Sequence, residues 1–320
     1  MFKKYLFFSL ILLFFSACAT KEAVTWKKRI LEKSHGSSLT LSHSEYGNPK
    51  NKTLLFLHGF GESKETWRFL VPKLSQSYHL VLLDLKGFGQ SPKIKDNAYS
   101  VYDQAREVAS FIKKKKLQDV TVVGRSFGGG VALVLALMQK DKLIEKNINR
   151  LILINAMSYK QGLPSMLENL NQPIIGFLGI HLLSNDYMAE EAYKFAFYNN
   201  DLIPKNSLEY SSYCLSLPLA KYVYLETTKQ LIPDDIETIQ KRYKEIDLAT
   251  LILWGKEDVS IHVNKAYKLY RDIKGSKLRI FPKVGHMPNE EVPEKVVFEI
   301  LKFMEKDWSP TKQKVSNKAY

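Results

Sequence analysis

A serine between glycines is the strongest chemical signal in this 320-residue sequence. A Gly-Arg-Ser-Phe-Gly run at residues 124–128 follows the β-branched residues 121–123 and leads into an apolar stretch typical of a helix. A strand that turns into a helix at such a motif bends sharply at the serine, and only small residues two positions away let the backbone pass. The bend exposes the hydroxyl beside a helix N-terminus, where negative charge is favoured. The motif therefore predicts that Ser126 is a nucleophile.

A nucleophilic serine needs a base and an acid that orients the base. Asp258 follows the short apolar run Leu251–Leu253, and His286 follows the run Leu278–Phe281. If both runs are parallel strands, their carboxyl ends lie at the same sheet edge as Ser126. His286 would then take the serine proton, while Asp258 would hold the other ring nitrogen and stabilise the imidazolium.

Three nearby residues are alternatives for these roles. Glu257 directly precedes Asp258 and competes with it as the acid. His262 competes with His286 as the base, although it follows no strand of its own. His58 is a third histidine beside a predicted strand end, and there a structural role in bracing its loop is favoured over a role as base.

Backbone N–H groups must also face the oxyanion that develops during acyl transfer. One is expected from Phe127, the residue after the nucleophile. The other is expected from Phe60, in the His-Gly-Phe-Gly loop that follows the apolar run Thr53–Leu57. Both residues would act through backbone position, and loss of one such donor typically costs roughly 2.7–4 kcal/mol.

The elements that must position these residues alternate between short apolar runs and amphipathic stretches. This pattern predicts buried parallel strands that alternate with helices, and therefore a doubly wound α/β sheet. The predicted strands are Thr53–Leu57, His79–Leu83, Val120–Val123, Leu151–Ile154, Leu251–Leu253 and Leu278–Phe281. The predicted helices are Trp67–Leu74, Val101–Ile112, Phe127–Met138, Val263–Tyr270 and Val296–Met304.

One long stretch, residues 158–247, breaks this alternation. It has no strong strand signal, is rich in Leu, Ile, Tyr and Phe, and is punctuated by prolines. We interpret it as a helical cap over the C-terminal edge of the sheet, where open α/β sheets bind ligands. The alternative is a second packed layer without a functional role.

Together these motifs resemble the α/β-hydrolase fold family, in particular esterases and monoacylglycerol-lipase-like members, over roughly residues 37–306. The order serine, acid, histidine is the order of that fold. The Asp-Leu-Lys-Gly-Phe-Gly-Gln-Ser segment at residues 84–91 is similar to a family turn, and we interpret it as structural. Arg125 departs from the pattern, because histidine is frequent beside the nucleophile, and this departure bears on substrate preference.

The resemblance implies a mostly parallel sheet with a helical cap and hydrolysis of carboxylic esters through an acyl-enzyme, with monoacylglycerol-like lipid esters as candidate substrates. Arg125, Met157 and Met287 would line the substrate pocket. The alternative enzymatic function of the same fold is hydrolysis of C–C bonds, thioesters or amides. The non-enzymatic alternative is a protein that binds a ligand on this scaffold without catalysis. No metal or organic cofactor is implied, and the oligomeric state stays open.

The N-terminus is typical of a targeting segment. Lys3 and Lys4 precede the apolar run Leu6–Ala17, which is shorter than the about 20 residues of a membrane-spanning helix. Phe-Ser-Ala-Cys at residues 15–18 resembles a bacterial lipobox, with Phe where Leu is usual. The resemblance implies cleavage before Cys18, lipid attachment to it, and anchoring to a bacterial membrane in the cell envelope, at the outer membrane or cell surface. An ordinary secretory signal peptide is the alternative.

The predicted organisation is a signal peptide (1–17), a tether (18–36), two halves of the core (37–157 and 248–307) around the cap (158–247), and a basic tail (308–320). The net charge of +14 comes mainly from scattered lysines. Without a zinc-finger or RNP-like pattern, this charge does not indicate nucleic-acid binding, and it favours approach to anionic lipid headgroups. The two cysteines imply no disulfide framework.

Overall fold

Seven strands pair into one sheet in the part of the protein that the computed structural model describes, which is residue 26 and residues 39–305. Their spatial order is β1-β3-β2-β4-β5-β6-β7, and every neighbouring pair is parallel except β1 and β3. This mostly parallel sheet confirms the predicted fold class. The strands are β1 (His43–Tyr46), β2 (Thr53–Leu57), β3 (His79–Leu83), β4 (Val120–Arg125), β5 (Ile148–Ile154), β6 (Ala249–Gly255) and β7 (Lys277–Phe281).

The central strands are apolar because helices cover both faces of the sheet. Every residue of β2, β3, β4 and β6 is buried, which explains the continuous apolar runs in the sequence. The antiparallel edge strand β1 was not predicted, because its His-Ser-Glu-Tyr sequence is polar and only partly covered.

Helices flank the sheet and fill the region between β5 and β6. Four of the five predicted helices are found with ends within about three residues of the prediction. The helices are α1 (Val71–Leu74), α2 (Val101–Lys114), α3 (Phe127–Lys140), α4 (Ser165–Asn171), α5 (Pro173–Leu182), α6 (Asn185–Ala196), α7 (Lys205–Ser216), α8 (Ala220–Gln230), α9 (Ile236–Ile239), α10 (Asn264–Asp272), α11 (Pro288–Glu291) and α12 (Pro293–Met304).

The prediction of a helix over Trp67–Leu74 was wrong for the first four residues of this range. A 3₁₀ turn at Lys64–Trp67 comes first, and α1 begins only at Val71. Pro72 explains the break, because its ring would clash with the carbonyl four residues earlier and it has no N–H to donate. Proline is tolerated in the first turn of a helix, which is where α1 places it.

The cap region, residues 158–247, is helical throughout its regular parts. It contains α4 to α9 and two 3₁₀ turns, at Asn200–Leu202 and Gln240–Glu245, and no strand among these described residues. No helix in the described ranges is long and apolar enough to span a membrane. The predicted signal peptide with Cys18, the tether apart from residue 26 and the basic tail lie outside the described residues.

The turn at residues 84–91 is held by a buried carboxylate. Asp84 accepts hydrogen bonds from the Lys64 ammonium and the Lys64 N–H, both at 2.7 Å, and from the Gln90 N–H at 3.0 Å. The Ser91 hydroxyl donates to the Asp84 carbonyl at 2.7 Å. Gly89 is required here, because a Cβ atom would lie 2.3 Å from the Asp84 carboxylate. The turn is therefore structural, as the sequence suggested.

We expect Asp84→Ala to lower the free energy of unfolding by about 3–5 kcal/mol, because it leaves the buried Lys64 ammonium without its carboxylate partner. Asp247→Ala is the matched control, because Asp247 pairs with Lys140 while its side chain is 65% exposed. Removal of that exposed pair should cost about 0–1 kcal/mol. Denaturant unfolding of both variants measures the difference, and equal losses would contradict a structural role for Asp84.

Candidate active site

Ser126 occupies a strained turn between β4 and α3. Its backbone has φ 51° and ψ −118°, a conformation that residues with side chains rarely adopt. The turn is tied to the neighbouring strand, because the Ser126 N–H donates to the Ile154 carbonyl at 3.0 Å and the Ser126 carbonyl accepts from the Met157 N–H at 2.9 Å. These bonds fix the direction in which the hydroxyl leaves the sheet.

The glycines of the motif are required by close backbone contacts. A Cβ atom on Gly124 would lie 2.4 Å from the Gly128 carbonyl oxygen. A Cβ atom on Gly128 would lie 2.2 Å from the Leu57 carbonyl oxygen, on the adjacent strand β2. Larger side chains would therefore push α3 away from the sheet and move Ser126.

The predicted serine, histidine and acid form one hydrogen-bonded row. The His286 Nε2 atom lies 2.9 Å from the Ser126 hydroxyl, and His286 Nδ1 lies 2.8 Å from Asp258 Oδ2. The carboxylate accepts, so Nδ1 carries the proton and Nε2 is left with a lone pair that faces the serine. This arrangement can remove a proton from the Ser126 hydroxyl.

Asp258 is buried but fully hydrogen-bonded. Its Oδ1 atom accepts from the N–H groups of Ser260 and Ile261, at 2.8 and 2.9 Å, and Oδ2 also accepts from the Asn155 amide at 2.6 Å. Burial alone would raise the pKa of Asp258, but the charge and hydrogen bond of His286, together with the other donors, hold that pKa below its usual range. The acid is therefore ionised at neutral pH.

Asn155 is a site residue that the sequence analysis missed. It follows β5 with φ 43°, in the left-handed region that asparagine tolerates. Besides Asp258, its amide donates to the Gly285 carbonyl at 3.3 Å, and its carbonyl accepts from the Gly255 N–H at 3.3 Å. Asn155 therefore joins three strand ends. The sequence did contain one signal for this role, because Asn155 directly follows an apolar strand, as Ser126 does.

The loop that carries His286 is fixed by a second unpredicted residue, Glu291. The N–H groups on both sides of His286 donate to the Glu291 carboxylate, at 2.9 and 3.2 Å. The same carboxylate accepts from the Tyr198 N–H at 2.9 Å, and the His286 N–H donates to the Ala196 carbonyl at 2.7 Å. Because Ala196 and Tyr198 belong to the cap, the histidine loop and the cap are bonded through their backbones.

The alternative acid, Glu257, and the alternative base, His262, are hydrogen-bonded to other parts of the protein. Glu257 accepts from the Val284 N–H at 3.1 Å and thereby joins the loops after β6 and β7. His262 is exposed, and its ring accepts from the Asn264 N–H at 3.3 Å at the start of α10. In the described part of the chain, neither side chain is hydrogen-bonded to Ser126, His286 or Asp258, so the geometry favours Asp258 and His286.

His58 braces its loop, as favoured from the sequence. Its Nδ1 atom donates to the Gly59 carbonyl at 2.7 Å, and its Nε2 atom accepts from the Leu85 N–H at 3.0 Å. Complete burial lowers the pKa of His58 to about 4, so the ring is neutral at neutral pH. Both ring nitrogens are occupied by backbone groups, which leaves none to act as a base.

The two predicted oxyanion donors lie beside the serine. Phe127 is the first residue of α3, and Phe60 lies in the loop after β2. Within residues 39–305, neither backbone N–H donates to a protein acceptor. The Phe60 ring packs against Phe88 and Tyr224, and the Tyr224 hydroxyl donates to the Gly61 carbonyl, so α8 of the cap supports this loop.

A cavity of about 160 Å³ opens onto Ser126 and His286. Its wall is mainly apolar and comes from the oxyanion loop, the histidine loop and cap helices α4 to α8. Met287 lies on this wall, as predicted. The apolar wall residues are Phe60, Pro164, Met166, Leu167, Leu170, Ile180, Met188, Ala189, Ala192, Phe195, Ala196, Leu215 and Met287.

Two predicted pocket residues are not on this wall. Met157 packs against Gly130 of α3 and lines a separate cavity of about 20 Å³. Arg125 is 1% exposed, pairs with Glu62, and donates to the His286 carbonyl at 3.1 Å. Burial lowers the pKa of Arg125 to about 10, so it remains charged at neutral pH. Because these partners hold its guanidinium, Arg125 supports the histidine loop and is not positioned to contact substrate.

We expect Asp258→Asn to lower kcat by about 10⁴-fold, because an amide at this position favours the wrong tautomer of His286. Glu257→Gln is the matched control, since it keeps the shape of the neighbouring side chain and leaves the serine row intact. Steady-state kinetics on one ester substrate, with circular dichroism to verify folding, measures both effects. A larger loss in Glu257→Gln would transfer the role of the acid to Glu257.

Comparison with known proteins places the chain in a family. A model of the α/β-hydrolase fold matches residues 52–293. Lipase 1 of Psychrobacter immobilis is 25% identical over 265 residues, which covers 79% of this chain and 79% of the lipase. A 2-hydroxy-6-oxo-6-(2'-aminophenyl)hexa-2,4-dienoic acid hydrolase of Metapseudomonas resinovorans is 27% identical over 267 residues, 80% of this chain and 84% of that protein.

Solved structures share the architecture. An esterase from Exiguobacterium antarcticum superposes with a TM-score of 0.70 at 21% identity, and the match covers 84% of this chain and 96% of the esterase. At this identity the likeness concerns the fold alone. The family model, by contrast, spans most of the chain and includes the strand ends that carry Ser126, Asp258 and His286. The chain therefore belongs to the α/β-hydrolase fold family.

Proposed function

We propose that this protein is a serine hydrolase that cleaves uncharged carboxylic esters through an acyl-enzyme. The observation that carries the proposal is the row Ser126–His286–Asp258, which opens onto an apolar cavity large enough for an acyl chain. The lipase relatives support the choice of esters.

In the first half of the reaction, the Ser126 hydroxyl oxygen attacks the ester carbonyl carbon while His286 Nε2 takes its proton. The negative charge on the carbonyl oxygen is met by the N–H groups of Phe60 and Phe127. When the tetrahedral intermediate collapses, the imidazolium returns the proton to the alcohol oxygen. The alcohol leaves, and the acyl group remains on Ser126.

In the second half, water attacks the acyl carbon and His286 again takes the proton. Collapse of this intermediate breaks the bond to Ser126, which regains its proton, and releases the carboxylic acid. Asp258 stays ionised throughout and stabilises the imidazolium that forms in each half.

The cavity wall favours apolar acyl groups. Each methylene that moves from water into such a site contributes roughly 0.8 kcal/mol. Glu62 is the carboxylate on this wall, and Arg125 pairs with it from the buried side. Among the described residues of this wall there is no Lys or Arg to pair with a free carboxylate or phosphate, so uncharged esters fit the site better.

A second, more polar cavity of about 170 Å³ adjoins the apolar one. The two share Gly61, Glu62, Tyr193 and Ser211, and the more polar cavity adds hydrogen-bonding side chains such as Asn206 and the charged Glu65 and Arg68. An apolar compartment beside a polar one suits a substrate with an acyl chain and a hydroxylated alcohol. This pairing supports monoacylglycerol-like esters as the substrate class.

A substrate panel tests the function. Purified protein is assayed on p-nitrophenyl esters of increasing acyl length, on monoacylglycerols, on aminoacyl p-nitroanilides and on a vinylogous diketone that reports C–C cleavage. We expect the ester rates to be highest, with a fluorophosphonate probe labelling Ser126. Folded Ser126→Ala should lose both labelling and turnover, because it lacks the nucleophile.

Other outcomes of the panel would replace the proposal. Faster turnover of the anilides than of every ester would indicate a peptidase, and faster turnover of the diketone would indicate a C–C hydrolase. Substantial ester turnover by folded Ser126→Ala would end the covalent-serine mechanism.

We also propose that Cys18 carries lipid and tethers the enzyme to the bacterial cell envelope. The support is the apolar run Leu6–Ala17 followed by the lipobox-like residues 15–18. Two or more acyl chains give stable anchoring, whereas one chain binds only reversibly.

We expect Cys18→Ser to lose the lipidated membrane form and to accumulate as unprocessed or unlipidated protein. Expression of both forms in a Gram-negative host, membrane fractionation and mass spectrometry of the mature N-terminus measure the change. An unmodified mature terminus at a residue other than 18 in the unsubstituted protein would contradict the anchor.

A further inference from the structure

The helix α5 has a composition that normally belongs inside a protein. Its sequence is Pro-Ile-Ile-Gly-Phe-Leu-Gly-Ile-His-Leu, and residues 169–185 include no Asp, Glu, Lys or Arg. A helix that is apolar on all sides is expected to be buried. In this structure most of α5 faces outward instead.

Only a narrow side of α5 packs on the protein. Gly176 and Ile180 are buried, and Gly176 lies so close to α4 that a Cβ atom there would be 2.1 Å from the Leu170 carbonyl oxygen. Five other large apolar side chains of α5, and Leu183 directly after it, are 45–78% exposed. We call these the α5 surface: Ile174, Ile175, Phe177, Leu178, Leu182 and Leu183.

The α5 surface is continuous with the catalytic cavity. Ile180, on the inner side of the same helix, lines that cavity. Met166 of α4 both lines the cavity and is 39% exposed. An apolar path therefore leads from the outside of the cap to the cavity that holds Ser126.

We propose that the α5 surface docks on the interface of an anionic lipid bilayer. Six adjacent apolar side chains that stay 45–78% exposed are typical of an interaction site. A bilayer can cover this surface and still deliver an apolar substrate to the adjoining cavity, whereas a protein partner or a second copy of the chain would lie across that path. The net charge of +14 favours anionic headgroups over neutral ones.

The sequence outside the described residues points to the same occupant. Leu6–Ala17 and Cys18 would place the chain at a membrane, and about 20 residues separate Cys18 from Leu39. This number of residues is enough for the catalytic body to meet the surface that would hold Cys18. Docking through α5 would then orient the cavity toward the lipid. The link to turnover rests on the proposed ester hydrolase function, whereas docking itself does not.

Bromolipid quenching tests the contact directly. Phe177→Trp is introduced into the full chain, which is mixed with vesicles of phosphatidylglycerol and phosphatidylcholine with brominated acyl chains. Phe298→Trp is the matched control, because Phe298 is 60% exposed on α12, away from the α5 surface in the sequence and on a different element. Emission of the unsubstituted protein is subtracted to remove the native tryptophans.

We expect strong quenching and a blue shift at position 177 and little change at position 298, with weaker binding when the vesicles are purely zwitterionic or the salt is raised. Equal quenching at both positions, or none at 177, would overturn the proposal. A blue shift at 177 that depends on protein concentration and not on lipid would assign the surface to a second copy of the chain.

A kinetic experiment distinguishes an effect on docking from an effect on catalysis. Phe177→Asp should lower turnover of a monoacylglycerol embedded in anionic vesicles by about tenfold, because a charge opposes burial at the interface. The same variant should keep its rate on soluble p-nitrophenyl butyrate, and Phe298→Asp should change neither rate. Loss of both activities in Phe177→Asp would contradict docking as its cause. If the protein hydrolysed no ester, the proposed function would be wrong. The quenching experiment would still show whether the α5 surface docks on the bilayer.

Discussion

The hydrogen bond from His286 to the buried Asp258 carboxylate is the constraint on which the rest of the site depends. It places the proton on Nδ1 and leaves Nε2 free for Ser126. A buried carboxylate is costly unless donors surround it, and here two loop N–H groups and the Asn155 amide supply them. Those donors follow the ends of the neighbouring strands β6 and β5, so the buried acid has its full set of donors only when these strands have paired.

The cap covers the active site and also helps to hold the catalytic histidine in position. Its backbone at Ala196 and Tyr198 is bonded to the loop that carries His286, directly and through Glu291. Its helix α6 also forms part of the cavity wall. A ligand that shifts this helix would therefore also shift the imidazole, because the two are joined by short backbone hydrogen bonds. The helix that lines the cavity is thus hydrogen-bonded to the loop that carries the base.

No lysine or arginine lines the acyl cavity among the described residues. Arg125, next to the nucleophile, is held by Glu62 and by the His286 carbonyl, so a cation that could have bound an anionic substrate instead supports the catalytic loop. The acyl cavity is left mainly apolar, and the cap continues this apolar surface outward along α5. The distribution of charge and apolar area thus agrees with neutral, lipid-like esters arriving from an interface.

The sequence by itself determined the fold class, most strands and helices, and the three residues of the serine row, because buried parallel strands leave continuous apolar runs and a tight strand–helix turn demands glycines at fixed spacing. Apart from that row, it could not determine side-chain contacts between segments distant in the chain. Asn155 and Glu291 gained their roles, and Arg125 and Met157 lost their predicted ones, only when the strand ends and the cap came together. Side-chain direction and partner choice depend on tertiary packing, which local spacing does not encode.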